Sequence, residues 1–377
     1  MPQSCGIFAR IKPQVLIVDN ELDVLESIGS SVSNSPGGCV RAAFDEHLTR
    51  SLPRSEEWLL PLRAQTRGGY FMKTGYLIDM DGVLYREDQL IPGTKEFIAA
   101  LIASGAPFVF LTNNSSPTPE DLSVRLGHLG LPGLSPRHFY TSALNTAEFL
   151  SETHPACTVF VIGEGGLLNA LHERKIASDA IHPSYVVVGE GAVSMEKLAK
   201  AHSFIEHGAR LLATNPDNWC PVSHDGTRPG AGATAAFLEA STGRRAYYLG
   251  KPNGYMFHRA RRKLADMAGG ILPETIIVIG DTMETDIRGA IEAGLQAYLV
   301  LSGATNLEVV GDYVYQPTRV LNSVADLIEE LKSGKPSSQL DSPVYQHALS
   351  ARHRFGNRHQ TDAEHPAKPR PRAPMTR

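Results

Sequence analysis

Short apolar runs alternate with amphipathic segments from about Phe71 onward. Residues 75–79 (GYLID) indicate a buried strand, and residues 107–114 (PFVFLTNN) indicate another that ends in polar side chains. Between them, residues 94–104 (TKEFIAALIAS) predict a helix with Thr94 as its N-cap and one apolar face formed by Phe97, Ile98, Leu101 and Ile102. Apolar strands separated by amphipathic helices favour a parallel sheet covered on both faces.

The same alternation continues through the middle of the chain and again after Gly250. Further strands are predicted at 158–163, 184–190, 210–215, 275–281 and 296–303, with helical segments between them. This order predicts two α/β units, the second inserted into the first.

The two ends of the chain differ from this centre. Residues 333–377 are rich in Pro, Ser, His and Arg and poor in apolar residues, which predicts a disordered tail: either a solvated terminus or a basic segment that meets acidic partners. Residues 13–28 resemble the first strand and helix of a receiver domain, but Asn20 stands where an acid is expected. We therefore interpret residues 1–71 as a receiver-like fragment or poorly ordered extension, and Met72 is an alternative translation start.

Composition excludes several classes of protein. At 377 residues and a formal net charge of -4, the chain is long enough for two domains and shows no basic face for nucleic acid. No apolar segment approaches the roughly 18 residues that a membrane helix needs. The cysteines are scattered without a zinc pattern, which favours a reducing, cytoplasmic location; they are Cys5, Cys39, Cys157 and Cys220.

Candidate chemistry lies where the strands of the first unit end, and in one adjoining loop. The carboxyl ends of parallel strands meet at one edge of a sheet, so these segments are expected to form one site. The segments are DMDG, LTNN, GKP and GDTMETD, and they contribute Asp79, Asp81, Thr112, Asn113, Lys251, Asp281 and Asp286.

Four carboxylates at one edge would repel one another unless a cation lay between them. All-oxygen ligation with room for water suits Mg²⁺. Together with Lys251, Mg²⁺ would offset the charge of a bound phosphate ester, which otherwise keeps an anionic nucleophile away. The sequence therefore predicts a magnesium site beside a phosphate site.

These parts indicate covalent catalysis by a carboxylate. Asp79 is the predicted nucleophile, and it would form an aspartyl-phosphate that water then hydrolyses. Asp81 is the predicted acid and base, which requires environments that separate the two pKa values. Thr112 and the amides near Asn113 and Asn114 would hold the phosphoryl oxygens.

The four segments, in this order, resemble motifs one to four of the haloacid dehalogenase superfamily. The stretches DGVLYREDQLIPGTKEFI, ATNPDN and GKPNGYMF are similar to its NagD-like, 4-nitrophenylphosphatase-like subgroup in subclass IIA. The resemblance covers about residues 73–303. It implies a Rossmann-like core of residues 72–148 and 246–332, with an inserted α/β cap of the C2 type at residues 149–245.

The resemblance also implies roles for individual residues. Asp79 would be nucleophile and metal ligand, and Asp81 would be the acid and base and bind the metal through its backbone carbonyl. Asp281 would bind the metal directly, with Asp286 as its supporting acid, although an Asp in the first turn of a helix is also favoured by the helix dipole. Thr112, Asn113 and Lys251 would hold phosphate.

The predicted cap leaves several alternatives open. Asn215 and Asp217 either face the site or cap a turn after a strand. Trp219 either stacks on a substrate ring or packs in the fold. Cys220 stands where pyridoxal phosphatases are expected to have His, which disfavours that substrate.

The expected function is a Mg²⁺-dependent phosphatase of a small phosphorylated metabolite, without nucleic acid or membrane partners. The resemblance favours a nucleoside monophosphate; phosphoglycolate, sugar phosphates and pyridoxal phosphate are the alternatives. A homodimer through the cap is also expected by resemblance. Two other classes stay open: a signalling protein with a receiver-like N-terminus, and an inactive metabolite-binding module.

Overall fold

The computed structural model describes residues 74–222 and 226–334, with the side chains of residues 221 and 222 left out. The predictions for residues 1–71 and Met72, and nearly all of the predicted tail, lie outside these ranges. Within them, no helix has both the length and the apolar composition to cross a membrane.

The first sheet has six parallel strands in the order β15-β14-β13-β1-β4-β5. Its central strand β1 pairs with β13 on one side and β4 on the other, so that Ile78 lies between Ile279 and Phe110. The strands are β1 (Thr74–Ile78), β4 (Phe108–Thr112), β5 (Phe139–Thr141), β13 (Thr275–Gly280), β14 (Gln296–Val300) and β15 (Arg319–Leu321).

The second sheet is formed by the chain between β5 and β13. Its five strands are also parallel, in the order β12-β9-β8-β6-β7. They are β6 (Thr158–Ile162), β7 (Ala177–Ser178), β8 (Tyr185–Val188), β9 (Arg210–Ala213) and β12 (Tyr247–Tyr248). Two antiparallel hairpins complete the strands: β2 (Tyr85–Arg86) with β3 (Gln89–Leu90), and β10 (Trp219–Val222) with β11 (Gly226–Pro229).

Ten α-helices are present in the described ranges. They are α1 (Thr94–Ser104), α2 (Pro119–His128), α3 (Ser142–Thr153), α4 (Gly165–Glu173), α5 (Met195–Glu206), α6 (Ala231–Thr242), α7 (Gly254–Met267), α8 (Arg288–Glu292), α9 (Leu307–Val310) and α10 (Ile328–Ser333). Short 3₁₀ turns lie at Pro136–His138 and Val324–Leu327, and a π turn at Met283–Ile287 precedes α8.

Each sheet is buried on both faces by these helices. On the first sheet, α1 and α2 pack on one face, where Phe97 and Leu122 join Phe110, while α7 covers the other, where Phe257 joins Val109. The second sheet has α3 and α4 on one face and α5 and α6 on the other. The prediction of an α/β fold with a Rossmann-like parallel sheet is confirmed, because continuous apolar strands need a cover on both sides.

Two details of α1 were predicted wrongly. Thr94 is the first helical residue rather than the N-cap; Gly93 holds the cap position with a φ of 88°, and the Thr94 hydroxyl donates to the Leu84 carbonyl at 3.0 Å. Ile102 is 47% exposed, whereas Phe97 and Leu101 are buried. Packing of α1 on the first sheet and on the turn and helix at residues 324–333 decides which apolar side chains the helix buries.

Candidate active site

An ammonium group between two carboxylates forms the centre of the site. Asp79 directly follows β1, and its Oδ1 accepts from Lys251 Nζ at 2.6 Å. The same Nζ donates to Asp286 Oδ1 at 2.7 Å. The side chains of Lys251 and Asp286 are almost completely buried. The loop after β12 therefore supplies the counter-charge for acids at the edge of the first sheet.

Asp281, which directly follows β13, completes an acidic cluster. One carboxylate oxygen each from Asp79, Asp281 and Asp286 lies within 4.8 Å of the others. Asp281 Oδ2 accepts from the Ala304 amide at 2.6 Å. A Cβ at Gly82, whose φ is +74°, would overlap this carboxylate, so glycine is required for the close approach.

Burial sets the protonation of this cluster. It raises the pKa of Asp79 well above its usual range, while the Lys251 ammonium opposes that rise. Burial and the Asp286 carboxylate raise the pKa of Asp281 from 3.8 to about 6. Burial lowers the pKa of Lys251, but the Asp286 and Asp79 carboxylates outweigh it and raise the value, so Lys251 stays charged. Lys251 is thus the one buried cation close to Asp79, Asp281 and Asp286 among the described residues. The excess of negative charge would stabilise a further cation there.

Asp81 lies apart from the carboxylate cluster, against a buried tyrosine. Tyr85 Oη donates to Asp81 Oδ2 at 3.3 Å, and Arg125 stacks over the Tyr85 ring at 4.7 Å. Burial raises the pKa of Asp81, with opposing contributions from Arg125 and Tyr85. Asp79 contacts Lys251 and Asp81 contacts Tyr85, so two acids two residues apart have different surroundings.

The segment after β4 mainly braces the site. The Asn113 side chain accepts from the Lys251 amide at 2.7 Å and donates to the Lys251 carbonyl at 3.2 Å, which fixes the backbone of the lysine. Thr112 Oγ1 accepts from the Asn114 amide at 3.1 Å. Thr112, Asn113 and Asn114 line the same cavity as Asp79 and Lys251. Their predicted contact with phosphate stays a prediction.

The two residues from the second sheet take different positions. Asp217 lines the cavity and accepts from Asn113 Nδ2 at 3.1 Å. Asn215 is completely buried and is not among the lining residues; its Nδ2 donates to the Asn113 carbonyl at 2.7 Å and to Glu190 Oε1 at 3.1 Å. Its Oδ1 accepts from the Asp217 amide at 3.0 Å, so Asn215 caps the turn after β9 and joins the two sheets rather than presenting its amide to the cavity.

The cavity has a volume of about 1150 Å³ and reaches beyond the acids to the hairpin β10–β11. Trp219 lines it with 60% of its surface exposed, so it does not pack into the fold. Glu190, Arg228, Arg86 and Arg288 also line it and were not predicted. Glu190 follows the apolar strand β8, so the rule that singled out Asp79 after β1 would have found it. The arginines carry no such signal.

This geometry agrees with comparisons to known proteins. A family model described as haloacid dehalogenase-like hydrolase matches residues 76–177, and a second hydrolase model of the same type matches residues 248–327. The chain is 42% identical over 256 residues to dihydroxyacetone phosphatase of Corynebacterium glutamicum, an alignment that covers 67% of this chain and 90% of that protein.

The chain belongs to the NagD-like haloacid dehalogenase-like hydrolases. It is 34% identical to the ribonucleotide monophosphatase NagD of Escherichia coli, over 67% of this chain and 96% of NagD. The solved structure of NagD matches with a TM-score of 0.61 at 33% identity and covers 67% and 97% of the two chains. The solved structure of a 4-nitrophenylphosphatase from Thermotoga maritima matches with a TM-score of 0.62 at 29% identity. The match covers 70% of this chain and 100% of that one.

The family membership confirms the predicted resemblance and the predicted enzyme class. The chain is a hydrolase of the phosphomonoester-cleaving kind, and its named relatives are phosphatases.

Proposed function

We propose that this chain is a Mg²⁺-dependent phosphatase that cleaves a small phosphomonoester through an aspartyl-phosphate on Asp79. One observation carries the proposal: the Asp79 carboxylate contacts Lys251 at 2.6 Å and lies within 4.8 Å of Asp281 and Asp286. A nucleophile, a fixed cation and two further acids thus meet at one sheet edge, which is the arrangement that attack on a dianionic phosphate requires.

In the first half of the reaction, an Asp79 oxygen attacks phosphorus and the bond to the leaving-group oxygen breaks. Asp81 donates its proton to that oxygen. The raised pKa of Asp81 supports this step, because it keeps the acid protonated to a higher pH than an exposed Asp. Lys251 balances charge on Asp79 and on the transferred group.

In the second half, the Asp81 carboxylate takes a proton from water, and the resulting hydroxide attacks phosphorus. The bond between phosphorus and Asp79 breaks, which releases phosphate and restores the Asp79 carboxylate. Tyr85 supports the ionised form of Asp81 by donating to its Oδ2 at 3.3 Å. Asp81 is thereby acid in one step and base in the next.

The acids fit a divalent metal ion. Asp79, Asp281 and Asp286 offer only oxygen ligands, which are the donors that Mg²⁺ prefers. The bound ion would supply electrostatic stabilisation of the phosphoryl oxygens. Asp81, which is absent from this side-chain cluster, would contribute only its backbone carbonyl, as the resemblance implies.

The substrate class rests on relatives that act on different esters. The 42% identical relative is a dihydroxyacetone phosphatase, and others are named ribonucleotide monophosphatase, 5'-nucleotidase and acid sugar phosphatase. The first of these supports a small sugar phosphate, and the exposed Trp219 in the cavity supports the nucleoside monophosphate that the resemblance favours. Residues 149–245 are proposed as the cap over the site; cytoplasmic location and a homodimer stay predictions.

Phosphate release from a panel of phosphomonoesters, with Mg²⁺ and with a chelator, tests the proposal. Protein that begins at Met1 and protein that begins at Met72 should both release phosphate, and only when Mg²⁺ is present. An inactive metabolite-binding module would bind an ester without releasing phosphate. A signalling protein would lose its function when residues 1–71 are removed, whereas the enzyme should keep its activity.

A further inference from the structure

Glu190 is a buried acid that the phosphoryl chemistry does not use. It follows β8 in the second sheet and is only 3% exposed. Its amide donates to Ser115 Oγ at 2.9 Å, and its Oε1 accepts from Asn215 at 3.1 Å. In contrast, its Oε2 has no hydrogen-bond partner within the part of the chain that the structure describes. A fixed carboxylate therefore keeps one acceptor oxygen unsatisfied.

The nearest cationic side chain does not form a hydrogen bond with Glu190 Oε2. Arg228, on the hairpin strand β11, holds Nη2 at 3.8 Å from Glu190 Oε2, which is too long for a hydrogen bond. Other contacts hold the guanidinium in place: Nε donates to Cys220 Sγ at 3.1 Å, Nη1 to Glu164 at 3.4 Å, and Nη2 to Ser116 Oγ at 3.3 Å. The acceptor Glu190 Oε2 and the donor Arg228 Nη2 are thus neighbours that share no hydrogen bond.

Both groups belong to the cavity that contains Asp79 and Lys251. A ligand hydroxyl between them could donate to Oε2 and accept from Nη2 at the same time. An anionic group would meet the nearby Asp217 and Asp81 as well as Glu190, and an apolar group would leave Oε2 unsatisfied. The chemistry of the pair suits a neutral hydroxyl.

We propose that Glu190 and Arg228 are specificity-determining residues that bind a hydroxyl group of the substrate's leaving group. The inference rests on the proposed phosphatase function and narrows its substrates to hydroxylated esters, such as polyol phosphates. A site that hydrogen-bonds a substrate hydroxyl discriminates strongly against the analogue without it, since its own polar groups are then left unpaired.

The test compares glycerol 1-phosphate with n-propyl phosphate, which has the same chain length and no free hydroxyl. The measured quantity is the ratio of the two kcat/KM values, with Mg²⁺ present. The wild-type protein should prefer glycerol 1-phosphate, and Glu190→Ala should lower the ratio by about 10- to 100-fold, as expected for a lost hydrogen bond to a charged group. The exposed acid Glu196, changed to Ala, is the matched control and should leave the ratio unchanged.

A purely structural role for Glu190 would lower both kcat/KM values equally and leave the ratio intact, which would overturn the inference. So would a wild-type ratio near one. Glu190→Gln and Arg228→Met, each checked by thermal unfolding, carry the same test if Glu190→Ala does not fold; both should lower the ratio.

The two proposals fail in different ways. Release of phosphate from n-propyl phosphate without preference for the hydroxylated ester overturns this inference alone. Release from neither ester, nor from 4-nitrophenyl phosphate, overturns the phosphatase proposal and this inference with it.

Discussion

The two parallel sheets place acids at their carboxyl ends in the same way but compensate them differently. At the first sheet, Asp79 and Asp286 both contact the buried Lys251 ammonium, at 2.6 and 2.7 Å. At the second sheet, Glu190 and Asp217 accept from neutral amides, and the cation nearest to Glu190 Oε2 is 3.8 Å away. Topology brings carboxylates to an edge in each case, and the neighbouring side chains decide their chemistry.

This difference separates the charged half of the cavity from the polar half. A contacting cation opposes the effect of burial and favours the ionised form of a carboxylate, which is the form that can attack an ester. A buried carboxylate without one becomes easier to protonate: burial and the Asp217 charge raise the pKa of Glu190 to about 7. The first arrangement suits phosphoryl transfer, and the second suits recognition of an uncharged group.

The largest contrast is expected between Asp79 and Asp217. Asp79→Asn should lower phosphate release by at least about 1000-fold, because an amide cannot form the acyl phosphate. The measurement is release of phosphate from 4-nitrophenyl phosphate, with thermal unfolding to show that the fold is intact. Asp217→Asn, in the same cavity, should retain far more activity. An Asp79→Asn protein with a near-normal rate would refute the assignment of the nucleophile.

The two cations should differ in their contribution to stability. Lys251→Met leaves two buried carboxylates uncompensated and should lower the free energy of unfolding by about 3–5 kcal/mol, as for other broken buried pairs. Arg228→Met, at a longer distance and with its side chain one third exposed, should cost about 1 kcal/mol or less. Urea unfolding of both variants measures the difference. Equal losses would show that the acids of the first sheet do not depend on Lys251.

Metal affinity should distinguish the two sheet edges next. Mg²⁺ should raise the melting temperature of the wild-type protein by mass action. Asp281→Asn should weaken Mg²⁺ binding by about 100-fold, at the upper end of losses seen for metal-site partners, while Asp217→Asn should change it little. Calorimetric titration with Mg²⁺ gives both constants. Equal weakening of Mg²⁺ binding in the two variants would contradict a metal site at the edge of the first sheet.

The smallest expected effect is a pH-dependent gain in the stability of the Glu190→Gln variant relative to the wild-type protein. The pKa of Glu190 is about 7 in the folded chain against 4.5 for an ordinary Glu, so the folded state binds the extra proton between these values. Stability therefore falls as pH rises from 4.5 to 7, and the loss is complete above pH 7. Glu190→Gln should thus be more stable than wild type by about 2 kcal/mol at pH 8, and by much less at pH 5.

Unfolding in urea at pH 5 and pH 8 measures this effect. Glu196→Gln, on the exposed face of α5, is the control and should show no such dependence. A Glu190→Gln protein that is less stable than wild type at pH 8 would show that Glu190 is ionised and paired there.

Much of the first site could be predicted because strand ends carry it. Asp79 and Asp281 directly follow apolar strands, and the parallel arrangement of β1 and β13 brings them to one edge. Lys251 was predicted from a short motif, but its simultaneous contact with Asp79 and Asp286 depends on the Asn113 brace on its backbone. Hydrogen bonds between residues 138 positions apart leave no pattern in a sequence.

The second half of the cavity shows where prediction from sequence ended. Asn215 was expected either to face the site or to cap a turn; it caps the turn, because its Oδ1 accepts from the Asp217 amide at 3.0 Å, and its own amide also links the two sheets, which the sequence did not indicate. Arg228 lines the cavity because the hairpin β10–β11 places it there, and no local pattern in the sequence specifies the direction of that hairpin. Exposure of Ile102 on α1 was likewise decided by its neighbours and not by helical periodicity.

The sequence by itself determined the α/β architecture, the acids at the ends of the central strands and the family, because periodicity and short motifs are local properties of the chain. Only the tertiary structure decided which acids share Lys251 and which oxygen of Glu190 is left unpaired. Protonation and hydrogen bonding depend on distance and burial, and those arise when segments far apart in the chain pack together.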